Sequence, residues 1–196
     1  MGADKALVDF AGAPMVTWCA AALAECAPVL VMSSSSEQHA ERCAKAVVEA
    51  WPRFTVLRGV KVVTAIDGQA GQGPLRGFVA ALSRAESDLV VLSACDTPLV
   101  PPTFYRKAVG LLAAFDAVAP HLDRPEPLIS AWRRDRALAL ARELLPGGAG
   151  PSALLERLSA RLVPREELGA WGMDDSRFAS ANTPEALSAL LKIARA

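Results

Sequence analysis

Leu89-Val90-Val91-Leu92-Ser93-Ala94-Cys95-Asp96-Thr97-Pro98 opens on four apolar residues and runs into a carboxylate, with proline two positions later. Four apolar residues without a polar interruption predict a strand covered on both faces, the pattern of a parallel sheet. Three more β-rich runs accompany it: Val29-Leu30-Val31-Met32, Val60-Lys61-Val62-Val63 and Ala117-Val118-Ala119. Between them lie helical periodicities. Leu75, Phe78, Val79 and Leu82 fall on one helix face, and Ala40, Cys43, Val47 and Val48 nearly repeat the spacing. Stretches 103–114 and 134–145 also read as helices. A last helix is announced by Thr183 as cap, Pro184 in its first turn and the stripe Leu187, Leu190, Leu191. Strands alternating with helices predict a three-layer α/β domain with a mainly parallel, Rossmann-like sheet, in which Leu89 to Leu92 is central. The strands from Val118 onward are expected to include an antiparallel edge.

The length of 196 residues fits one domain over 1–196. Lys plus Arg and Asp plus Glu both number 21, so no basic excess points to nucleic acid. Any polyanionic substrate must be met locally, by one or two side chains and a metal. The cysteines, Cys19, Cys26, Cys43 and Cys95, form no C-x-x-C pair, which argues against structural zinc and for small core residues in a reducing cytosol. No apolar run approaches the ~20 residues that span a bilayer. Asp4 and Lys5 come too early for a signal peptide, so the chain is expected to be cytoplasmic and off the membrane. His39 and His121 have no partner at metal or base spacing and read as surface or loop residues.

In open α/β sheets ligands bind beyond the carboxyl ends of the strands. Asp96 falls at such an end, where a hard oxygen suits Mg²⁺ on nucleotide phosphates; the alternative is a turn residue before a helix. Asp67, after the strand-like run from Val60 to Ile66, also reaches that edge, or is a turn residue before Gly68. Gly73-Pro74-Leu75-Arg76-Gly77 is either a loop whose bare amides approach a planar base or simply a helix start. Lys5, beside a small turn, is a phosphate partner or an exposed terminal charge. Asn182 precedes the last helix, where Asn is an ordinary cap. No G-x-S-x-G, H-E-x-x-H or Walker sequence is present.

Five stretches in register resemble the molybdenum cofactor guanylyltransferases: MGADKAL at the start, DGQAGQGPLRG at 67–77, VLSACDTPLV at 91–100, EPLISAW at 126–132 and ANTPEAL at 181–187. The resemblance covers nearly the whole chain. It implies transfer of GMP from GTP to the molybdopterin form of the molybdenum cofactor, with release of pyrophosphate. By that likeness Lys5 binds phosphates and shares the catalytic work with Asp96, which holds Mg²⁺. Asp67, Gly73, Pro74 and Leu75 line the nucleotide pocket, and Asn182 lies towards the pterin. GTP and a molybdopterin-type small molecule are the implied substrates, with molybdoenzymes or other cofactor-biosynthesis proteins as contacts. Such a reaction needs positioning and charge neutralisation rather than an acid–base triad.

Two departures stand out. Family members place a strand and a glycine-rich phosphate loop before the segment that begins here at Met1. Without them the sheet is expected to lack a strand beside Leu89 to Leu92. Ser180 stands where the family often has a second Asn. The related readings are a cytidylyl or sugar-phosphate nucleotidyltransferase, or a non-catalytic relative that has lost its phosphate loop.

Overall fold

The computed structural model describes residues 4–68 and 73–195. A hairpin of β1 (Asp9–Phe10) and β2 (Ala13–Pro14) leads into α1 (Met15–Ala24). Then follow β3 (Val29–Ser34), α2 (Glu37–Glu49), β4 (Lys61–Ile66), α3 (Pro74–Arg84), β5 (Leu89–Ser93), α4 (Pro102–Leu111) and β6 (Ala117–His121). The chain continues through β7 (Ile129–Arg133), α5 (Arg134–Leu144), α6 (Ser152–Arg157), β8 (Ala160–Pro164), α7 (Arg165–Ala170) and α8 (Pro184–Arg195).

The strands β5, β7, β6 and β8 hydrogen-bond in that spatial order. Both β5 and β6 run antiparallel to β7, and β6 runs parallel to β8. Three of these four strands therefore share one direction, and the antiparallel member lies inside the sheet rather than at its edge. Alternation along the strands builds two cores. Ala117, Ala119 and Trp132 face α3, α5 and α6 with Leu75, Phe78, Leu138 and Leu154, while Val118, Ile129 and Ala131 face α4 and α7 with Phe104, Tyr105 and Leu168. This is the three-layer α/β arrangement that the alternation of runs predicts.

Leu89 to Leu92 is a strand, but not a central one. β5 pairs with β7 on one edge only, and Leu89 is 39% exposed. β3 likewise pairs only with β4, in parallel. Among the described residues no hydrogen bond joins β3 to β5. Between them lies a cavity of about 660 Å³ lined by Leu30, Met32, Val90 and Leu92, with Val16 of α1 and Phe78 of α3 among its walls.

Candidate active site

The loops that leave β4 and β5 carry the sequence-predicted residues to one edge of the molecule. Asp67 follows β4 directly, and its main-chain N–H donates to Ser34 O at 3.1 Å, which extends the β3–β4 ladder by one rung. Its Oδ1 is buried, as is Ser33 Oγ, and neither has a hydrogen-bond partner among the described residues. A Cβ built on Gly77 would stand 3.1 Å from Ser33 Oγ and 3.4 Å from Asp67 Oδ2. Only glycine leaves these two groups their present room. Two buried polar atoms without partners are costly in a finished core. Asp67, Ser33, Pro74 and Gly77 line the same cavity as Ser93, the last residue of β5, and Cys95 beyond it.

Gly73 caps α3 with φ +80°, a backbone state that side chains resist, and Pro74 opens the helix. Both are exposed. Leu75, on the apolar face that predicts α3, is 1% exposed and packs in the core with Phe78 and Leu82. The i, i+3, i+7 stripe that predicts α3 claims this side chain for packing. The part of the glycine loop at 69–72 lies outside the described residues.

Lys5 and Asn182 are 177 positions apart, yet Lys5 Nζ donates to Asn182 Oδ1 at 2.6 Å. Asn182 Nδ2 donates in turn to Ser180 Oγ at 2.6 Å. The neighbouring Ala181 N–H donates to Asp96 O at 2.8 Å, which ties this segment to the loop after β5. The structure thus brings together Lys5, Asp96 and Asn182. Asn182 is not the helix cap, because Thr183 Oγ1 accepts from Ala186 N–H at 3.2 Å. The turn at Asp96 is held by Thr97, whose hydroxyl donates to Ala94 O at 3.0 Å. Among the described residues the Asp96 carboxylate makes no hydrogen bond or ion pair of its own. Crowding by the surrounding chain, with the Asp96 carboxylate next in effect, raises the Cys95 pKa to about 11, so this residue is a thiol rather than a nucleophilic thiolate at neutral pH.

Residues 1–162 match the family described as the MobA-like NTP transferase domain. This chain belongs to that family. The probable molybdenum cofactor guanylyltransferase of Bacillus licheniformis is 31% identical over 171 residues, which cover 86% of this chain and 80% of the relative. The molybdopterin-guanine dinucleotide biosynthesis protein A of Archaeoglobus fulgidus superposes with a TM-score of 0.72 at 25% identity, covering 99% of this chain and 92% of that one. The 2-C-methyl-D-erythritol 4-phosphate cytidylyltransferase of Thermus thermophilus shares the fold, with a TM-score of 0.68 at 14% identity over 100% of this chain and 95% of its own. Within the MobA-like family this chain is a nucleotidyltransferase of the molybdenum cofactor guanylyltransferase kind.

Family membership sets what the sequence missed in context. His39, read as a surface residue without partners, bonds Asp4 and Ser34 at the same edge. Ser33 and Gly77 were not singled out as a pair, and no spacing rule could have paired them across β3 and α3. Among the described residues no helix is long and apolar enough to cross a membrane.

Proposed function

We propose that this chain transfers GMP from GTP to the molybdopterin form of the molybdenum cofactor and releases pyrophosphate. The observation that carries the reading is the convergence of Lys5, Asp96 and Asn182 at the carboxyl edge of the sheet, in a chain of the MobA-like family. Lys5 places an ammonium against the phosphates. Asp67 and the main chain of the loop at Gly73 to Leu75 hold the nucleoside end. Asn182 lies towards the pterin. The terminal phosphate of the acceptor attacks the α-phosphorus, and the β–γ pyrophosphate leaves with the bonding pair.

Among the described residues no three metal-binding side chains converge. Asp96 fits Mg²⁺ nonetheless, because that ion takes one or two carboxylates and completes its shell with phosphate oxygens and water. When bound, Mg²⁺ neutralises charge on the phosphates. The four described cysteines are all free, which suits a reducing cytosol.

The glycine loop should favour guanine, whose edge can be read by backbone groups that no Cβ shields. Competition among GTP, CTP and ATP in the presence of Mg²⁺ should show GTP bound at least about tenfold more tightly, the scale of one unreplaced hydrogen bond. Equal or better binding of CTP would move the assignment to a cytidylyltransferase.

The slot between β3 and β5 supports a second part of the reading. Among the described residues neither β3 nor β5 has a hydrogen-bonded neighbour on the slot side, and an apolar strand seated there would supply partners to these open edges. A strand of about five apolar residues with a glycine-rich loop, joined ahead of Met1, should raise the melting temperature and the affinity for GTP together. No change in either on extension would count against the slot as a strand seat.

A further inference from the structure

Asp4, His39 and Ser34 form a hydrogen-bonded chain that the transfer chemistry above does not use. His39 Nε2 lies 2.9 Å from Asp4 Oδ1, and Nδ1 lies 2.8 Å from Ser34 Oγ. A carboxylate only accepts, so Nε2 carries the hydrogen. Ser34 Oγ already accepts the Ser36 N–H at 3.3 Å, which leaves its own hydrogen to point at Nδ1. With Nε2 donating to Asp4 and Nδ1 facing the Ser34 hydroxyl, every atom of the chain has a partner.

The anchors of this chain are rigid. Ser34 is the last residue of β3 and is 8% exposed. His39 sits in the first turn of α2, where its N–H donates to the cap Ser36 Oγ at 3.1 Å. Cys43 Sγ approaches Nε2 at 3.5 Å from the next turn. Burial first, and the Asp4 carboxylate second, hold the Cys43 thiol up at about 11, so it is a neutral neighbour. Arg42 Nη2 stands 3.6 Å from Asp4 Oδ2, but that guanidinium is largely solvated and adds little.

Asp4 and Lys5 are consecutive and serve opposite sides. Asp4 is tied to the corner of β3 and α2, while Lys5 reaches across to Asn182 ahead of α8. We infer that His39 is a positioning residue for Lys5: by pinning Asp4 it fixes the backbone from which the ammonium reaches the phosphates. A lysine on an untethered turn would have to be ordered at the moment of binding, at an entropic cost that the pinned turn has already met. The inference rests on the proposed guanylyl transfer, in which Lys5 meets GTP.

Steady-state kinetics in GTP, with Mg²⁺ and the molybdopterin acceptor, tests it on the parent chain and on His39→Ala, His39→Gln, Lys5→Met and the double variant His39→Ala/Lys5→Met. His39→Ala should raise the KM for GTP about tenfold, the effect of losing a hydrogen bond to a charged group, with kcat within about threefold of the parent. The Gln amide can donate where Nε2–H does, so His39→Gln should recover most of the KM. Lys5→Met should cost less in the His39→Ala background than in the parent, because both act through one ammonium. The inference is overturned by an unmoved KM in a folded His39→Ala chain or by full additivity. If the parent itself transfers no guanylyl group, the functional reading falls and takes this inference with it; if the parent is active and KM is unmoved, only the role of His39 falls.

Discussion

Asp96→Asn is expected to lower guanylyl transfer about a hundred- to thousandfold while leaving the fold intact, the range seen when one group that stabilises transition-state charge is removed. The substitution keeps shape and changes charge alone. The turn does not depend on the carboxylate: Thr97 holds it through Ala94 O, and the main-chain oxygen of Asp96 accepts from Ala181 N–H. Both contacts survive in the Asn variant. What is lost is the negative charge that Mg²⁺ needs beside the triphosphate, and a neutral amide oxygen is a weaker ligand for a hard cation. The melting temperature should therefore match the parent, and GTP turnover should lose its dependence on Mg²⁺ in the ordinary concentration range. Turnover at the parent rate would make Asp96 a turn residue and send the search for the metal site elsewhere.

The second large effect is on stability. Trp132 on β7 is fully buried, meets the Phe78 ring edge-on at 5.2 Å between centroids, and donates its Nε1–H to Ser130 Oγ at 2.5 Å. Ser130 Oγ donates onward to Pro127 O at 2.7 Å, which fixes the turn before β7. Trp132→Ala empties the centre of the core shared by α3, α5 and the sheet, and truncation of a buried Trp costs about 3–5 kcal/mol. For a domain whose whole stability is about 5–15 kcal/mol, that is a drop of roughly 10 °C in melting temperature. Among the described residues β7 is also the only strand that ties β5 to the rest of its sheet. Trp132→Phe, which keeps a ring against Phe78, should recover much of the loss. A Trp132→Ala chain that melts within a degree or two of the parent would show that the core closes over the gap.

Much of this was legible in the residues, for physical reasons. Short apolar runs bounded by turn formers gave β3 to β6, and the stripe of Leu75, Phe78 and Leu82 gave α3, because each pattern records which face is buried. α1 was not seen because it is apolar nearly all round: with Met15, Val16, Cys19 and Ala20 all buried and Thr17 buried among them, no stripe stands out. The hairpin of β1 and β2 has two residues a strand and turns through Ala11 at φ +49° and Gly12 at φ +86°, too little chain to leave a period. β8 hides its apolar content behind Arg161, whose guanidinium bonds Leu162 O and Glu167. Asp67 and Asp96 could be placed in the loops after β4 and β5 because each follows an apolar, strand-like run. The contact of Lys5 with Asn182 could not be read, since nothing local in either stretch records a partner 177 positions away. The burial of Leu75 was the opposite case: a helix stripe and a binding loop overlap on one residue, and packing took the side chain.

The central claim is that this edge of the sheet joins GMP to the molybdopterin acceptor. Incubation of the chain with GTP labelled at the α-phosphorus, Mg²⁺ and the molybdopterin form of the cofactor tests it most directly, with pyrophosphate and labelled dinucleotide measured together. Both should form in equal amounts, only when the acceptor is present, and Lys5→Met and Asp96→Asn should suppress both. Label transferred from CTP in preference to GTP, or transfer that both variants leave untouched, would contradict it.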